Sequence, residues 1–135
     1  MLLAMIALMS CQDQVGQLSG TYSYKISGSA VQDSVSVALP NEQGAMELVR
    51  ISADSALLTF NALAGPVYST RAAIKGTQIS LNPYSRVLEV GVEDYNVTAS
   101  GEGTVYDKTI LMQMKYVTVD SVLMADSLTM VCKKN

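Results

Sequence analysis

The sequence has no histidine and no tryptophan, a single phenylalanine, two cysteines and three prolines. Without histidine, the Ser-His and Cys-His nucleophilic arrangements are excluded, and so is any histidine-ligated metal. No D-x-[DN]-x-[DN]-G run supplies an EF-hand calcium loop. Charge is also scarce: charged residues make up 16% of the chain and the net charge is −3, the wrong sign for nucleic acid and for electrostatic docking on anionic lipid. Carboxylates remain as acid–base candidates, and Glu89, Glu93 and Asp94 lie close in sequence. A glycosidase-like pair needs two carboxyls about 5–9 Å apart in a cleft. With twelve acidic residues in the chain, such neighbours arise by chance, and these three read as a solvated edge. No catalytic residue, metal ligand or cofactor site follows, and the chain reads as a non-enzyme.

Apolar residues are concentrated at the start, in MLLAMIALMSC, where Ser10 alone interrupts them before Cys11. This run is too short for a transmembrane helix, which needs ~20 residues, and it ends abruptly in polar Gln12-Asp13-Gln14. The junction Leu8-Met9-Ser10-Cys11 resembles the lipobox of bacterial lipoprotein signal peptides, with a Leu three before the Cys and a small residue just before it. The resemblance implies cleavage before Cys11, lipid on its sulfur and acylation of its amine. It further implies a cell-envelope protein, anchored in the outer membrane of a Gram-negative bacterium. No Lys or Arg precedes Lys25, so either the true start lies upstream of Met1 or the leader lacks the usual basic n-region. The expected organisation is a signal peptide over 1–10, a lipid-anchored tether over 11–19 and one domain over 20–135.

That domain alternates. Tyr22, Tyr24 and Ile26 share a face, as do Tyr68, Thr70, Ala72 and Ile74. Ile110, Met112, Met114 and Tyr116 form the clearest apolar row, opposed by Thr109, Leu111, Gln113 and Lys115. Asp107-Lys108 before it reads as a two-residue hairpin turn. Residues 40–44 and Asn82-Pro83 read as turns, and the slip of period between Leu48 and Ile51 reads as a bulge near Val49-Arg50 or as burial on both faces. Asp-Ser followed by an aliphatic residue recurs at Asp33, Asp54, Asp120 and Asp126 and reads as loop-ending punctuation, with a single helical turn allowed over 121–125. Gly101 and Gly103 lack the context of a phosphate loop and read as places where another backbone approaches closely. Cys132 shares a face with Leu128 and Met130 and reads as a buried free thiol; a Cys11–Cys132 disulfide is the alternative if Cys11 is not lipidated.

About eight to ten short strands with turn signals at this density define an all-β class, a small antiparallel β-barrel. The Gly20-Thr21-Tyr22 opening strand, the late Gly101-Glu102-Gly103 to Tyr106-Asp107 hairpin and a short last strand behind the lipobox resemble the small lipocalin-like (calycin-like) bacterial lipoproteins. The lipocalin G-x-W signature is missing, as is all tryptophan. Two functions follow as expectations. In the first, the barrel holds a small apolar or amphipathic ligand, with Tyr22, Tyr24, Phe60, Tyr68, Met112, Met114 and Tyr116 as binding residues. In the second, the core is filled and the protein contacts an envelope partner through its outer face or loops. The membrane is reached only through the lipid on Cys11. A mouth lined by Tyr and Met would favour the first function, and a packed interior the second.

Overall fold

A computed structural model describes residues 13–65, 67–120 and 122–135. A short helix, α1 (Gln14–Leu18), precedes ten strands. These are β1 (Gly20–Ser27), β2 (Ser29–Gln32), β3 (Val35–Ala38), β4 (Glu42–Ser52) and β5 (Ser55–Ala62), then β6 (Val67–Lys75), β7 (Gln78–Val90), β8 (Glu93–Tyr106), β9 (Thr109–Thr118) and β10 (Leu123–Lys134). Eight of them follow one another around the sheet as β1-β4-β5-β6-β7-β8-β9-β10, and β10 pairs back onto β1 from Tyr22↔Lys134 to Ser27↔Thr129. The protein is therefore a closed, antiparallel, up-and-down barrel, a closure that leaves none of its eight strands as an open edge. β2 and β3 form an extra hairpin that pairs with the start of β10 at Leu123↔Gln32 and Met124↔Val31.

Alternation closes the barrel because one face of every strand must leave water. Tyr22, Tyr24 and Ile26 point inward, as do Met46 and Leu48, Leu58 and Phe60, and the whole Ile110–Tyr116 row. At Gly44 and Gly103 the neighbouring strand comes so close that a Cβ would strike the carbonyl oxygens of Asn61 and Leu111. Glycine at these inner positions lets the sheet coil tightly enough to close.

The two ends of the barrel differ. At one end, α1 lies against β4 and buries Val15 and Leu18. Asp13 caps it, accepting from the Gly16 amide at 2.7 Å, and forms an ion pair with Arg50 at 2.6 Å. The Tyr22 hydroxyl donates to the Leu18 carbonyl at 2.6 Å, and Lys134 Nζ to that of Gln17 at 2.9 Å. Residues 13–19, expected as part of a tether, are thus a plug joined to the barrel, because Val15 and Leu18 have an apolar floor to cover. The other end holds the hairpin β2–β3 and residues 39–41, 63–65, 91–92 and 119–120, and among the described residues no helix covers it.

Several expected turns are instead strand. Glu42, Gln43 and Gly44 belong to β4, and Asn82-Pro83 lies inside β7 at a register shift between Leu81 and Tyr84. Asp126-Ser127 sits in the bulge of β10 between Ala125 and Leu128, and residues 123–125 begin β10 where a helical turn was allowed. A bulge gives proline and Asp-Ser pairs a place within a ladder without ending it. The slip near Val49 resolves as inward Met46 and Leu48 with a register shift between Arg50 and Ser52. Asp33-Ser34 does turn the chain, both residues having positive φ as a primed hairpin turn requires. The leader over 1–10 and Cys11 lie outside the described residues.

Candidate functional site

A polar cluster occupies the inner face of the barrel near its unplugged end. Arg86 of β7 directs its guanidinium inward, with 7% of its side chain exposed, and pairs with Glu42 at the start of β4: Nη2 donates to Oε1 at 2.7 Å and Nη1 to Oε2 at 3.3 Å. Nη1 also donates to the Tyr116 hydroxyl at 3.0 Å, and the Tyr24 hydroxyl donates to Glu42 Oε2 at 3.0 Å. The guanidinium carbon lies 4.8 Å from the centroid of the Tyr68 ring and 5.1 Å from that of Tyr116, within cation–π range. Phe60 packs edge-on to Tyr24 at 5.3 Å and is stacked with Tyr84 at 6.4 Å. The Tyr68 hydroxyl is held by the backbone of Val87, accepting from its amide at 3.1 Å and donating to its carbonyl at 3.2 Å.

The cluster is electrostatically closed on itself. Burial works to lower the Arg86 pKa, but the hydrogen bonds to Glu42 and the surrounding tyrosines outweigh it and hold the guanidinium above its ordinary value. Burial pushes the Tyr116 phenol up to about 12, and raises Tyr24 and Tyr84 as well, with the Glu42 carboxylate adding to the rise at Tyr24. These tyrosines are neutral hydrogen-bonding groups at physiological pH, and Arg86 is a fixed cation. Such an arrangement can orient polar groups through hydrogen bonds from the guanidinium and to the Glu42 carboxylate.

Above this cluster the barrel opens into a cleft of about 730 Å³, walled by Pro40, Glu42, Leu63, Gly65, Val87 and Leu88 among others. Below it the interior is packed around Tyr22, Met46, Met112 and Met130, and beside the cluster at the same end a small cavity of about 20 Å³ between Ile26, Leu39, Glu42, Leu88, Tyr116 and Leu128 is scarcely larger than one water needs. Pro40, Glu42 and Leu88 line both spaces and form the partition between them.

The residues expected to bind separate into two groups. Tyr24, Phe60, Tyr68 and Tyr116 converge on Arg86 at the open end. Tyr22, Met112 and Met114 lie deeper, fully packed, with Tyr22 bonded to the plug helix. Arg86, Glu42, Tyr84 and Leu88 had not been expected, although alternation carries the signal: Arg86 is in phase with Tyr84 and Leu88, and Glu42 with Met46 and Leu48. A lone charge on an apolar strand face marks a buried partner. Glu89 and Asp94 face one another across the β7–β8 ladder, exposed, and Glu93 accepts from the Tyr95 hydroxyl at 2.7 Å. Glu89 and Asp94 are exposed and also line the open cleft, together with Glu42. Cys132 is buried and free among the described residues, and none of these residues forms a group of His, Cys, Asp and Glu able to hold a metal.

No protein-family model matches the chain, and no curated protein does. Among solved structures, the chain is similar to EF1p2_mFAP2b bound to DFHBI, with a TM-score of 0.57 and 13% identity over 90% of this chain and 98% of that one. It is also similar to a redesigned beta barrel, b11L5F_LGL, with a TM-score of 0.50 and 12% identity over 93% and 98% of the two chains. At these identities the likeness concerns the fold, a closed antiparallel β-barrel.

Proposed function

We propose that the protein is a non-enzymatic binding module that takes a small amphipathic ligand at the unplugged end of its barrel. The observation that carries this reading is the Arg86–Glu42 pair, encircled by tyrosines and set beneath an open cleft while the opposite end is plugged. The apolar part of the ligand rests on Leu63, Val87, Leu88 and Pro40, and its polar group meets Glu42 or Arg86. The ligand stays at the mouth, because the interior around Met112 and Met114 is already full. EF1p2_mFAP2b, a barrel of similar fold, was solved with DFHBI bound, which supports small-molecule binding by such a scaffold. We further propose that the module is carried on the cell envelope by lipid on Cys11.

The test is titration with a fluorescent fatty-acid probe. Saturable binding is expected, and Leu63→Asp, at an exposed rim position, should weaken it by about tenfold or more through an uncompensated charge in the apolar wall. No saturable binding, or binding indifferent to Leu63→Asp and Leu88→Asp alike, ends this reading. The packed interior favours a second one, in which the protein is an envelope interaction module contacting a protein partner through its loops.

A further inference from the structure

The charged side chains around the cleft are unbalanced. Glu42, Glu89 and Asp94 line it, and Arg86 is the one cation that does so among the described residues. Arg86 is already committed. Its Nε donates to the Val87 carbonyl at 3.4 Å, Nη1 to Glu42 and Tyr116, and Nη2 to Glu42. An anionic head group would have to displace Glu42 to pair with it. Glu89 and Asp94 are the opposite case. Both are exposed, neither belongs to an ion pair among the described residues, and they are direct cross-strand partners. Like charges in that relation, about 4.5–5.5 Å apart at Cβ, destabilise the pair, and a cation between them would relieve it. Lys25, outward on β1, lies opposite Gln43 and forms an ion pair with neither carboxylate. Beside the acids stands an apolar wall of Pro40, Leu63, Ala64, Val87 and Leu88, and the cleft of about 730 Å³ has the size of a small-molecule site.

We propose that the ligand taken at the mouth is a cationic amphiphile, an organic ammonium whose chain lies on Leu63, Val87 and Leu88 and whose head group meets Glu89, Asp94 and the exposed part of Glu42. An ammonium offers three donors and no acceptor, and ionised carboxylates offer acceptors alone. The carboxylates form no group able to hold a metal ion among the described residues, and an organic cation gains the apolar wall as well. The Arg86–Glu42 pair keeps its place beneath the ligand, fixing Glu42 at the floor of the cleft. This inference rests on the mouth-binding reading and adds to it the sign of the head group.

Calorimetric titration of the full chain compares three probes of one chain length, octylammonium, octanol and octanoate, with ethylammonium as a control for the head group alone. Octylammonium should bind saturably and about tenfold or more tighter than octanoate, with octanol between them, and added salt should narrow the gap. Ethylammonium should bind far more weakly, because the wall has no chain to hold. Glu89→Gln with Asp94→Asn, both at exposed positions, should weaken octylammonium by roughly fivefold or more and leave octanol unchanged. Octanoate binding as tightly as octylammonium, or octylammonium binding indifferent to the double variant, overturns the cationic head group while the mouth-binding reading stands. Ethylammonium binding as tightly as octylammonium also overturns it, since the acids would then pair with any small cation. If none of the probes binds saturably, the mouth-binding reading itself fails, and this inference with it.

Discussion

Arg86 of β7 and Glu42 of β4 meet across the lumen of the barrel, Nη2 2.7 Å from Oε1, although β5 and β6 separate their strands in the sheet. The contact is a tie between opposite walls, and a pair so buried is costly to halve. Arg86→Leu should destabilise the fold by about 3–5 kcal/mol, because it leaves the Glu42 carboxylate without its cation. Removing both charges together, as Arg86→Leu with Glu42→Leu, should recover most of the loss. Urea midpoints for the two single variants and the double variant check this. A double variant no more stable than Arg86→Leu would show that the tyrosine contacts of Arg86, and not its charge pairing, hold the region.

The interior row of β9 is core. Met112 is fully buried opposite Gly103 and Met130, so Met112→Ala leaves a void and should cost ~2–5 kcal/mol. Binding of a fatty-acid probe at the mouth should be unchanged. Strong loss of probe affinity with little loss of stability would place the ligand inside the barrel.

The plug can be loosened without touching the mouth. Tyr22→Phe removes a buried hydrogen bond to the Leu18 carbonyl and should cost about 1 kcal/mol, and Asp13→Ala removes the cap of α1. Hydrogen exchange at Val15 to Leu18 should quicken in both variants, while exchange in β7 and β9 stays slow. Unaltered protection of α1 would mean that its burial alone keeps the plug seated.

Burial raises the Cys132 thiol from 9.0 to about 12. The folded protein therefore retains this proton more tightly than the unfolded chain does. Its contribution to stability is complete below the unfolded thiol's pKa, and is lost as pH rises from about 9 toward 12. Tyr22 and Tyr116, also raised to about 12 by burial, act in the same direction from about 10 upward. Stability measured against pH should fall above about 9, and Cys132→Val should remove the first part of that fall. A thiol reagent should label Cys132 slowly until the protein unfolds, and rapid labelling of the native fold would contradict its burial.

The anchor proposal makes a chemical prediction at Leu8-Met9-Ser10-Cys11. Intact mass of the native protein should correspond to a chain beginning at lipidated Cys11, and Cys11→Ala should accumulate as unprocessed precursor. A native N-terminus other than acylated Cys11 would refute it.

Period-2 alternation on its own determined the class, the inward rows of β1, β6 and β9, the Asp107-Lys108 hairpin and the burial of Cys132, because each depends on neighbours two residues apart and on the expulsion of apolar surface from water. It also placed Tyr24, Phe60, Tyr68 and Tyr116 among the candidates. Tertiary structure decided what those tyrosines surround. Arg86 and Glu42 are 44 residues apart, and nothing local indicates that closure of the barrel brings them together. Only closure shows that Val15 and Leu18 have a floor to plug, and that Pro83 and Asp126-Ser127 are absorbed in bulges. Short-range patterning specifies which side of a strand is dry. Which dry residues meet, and how much room they leave, depends on the curvature of a sheet closed on itself.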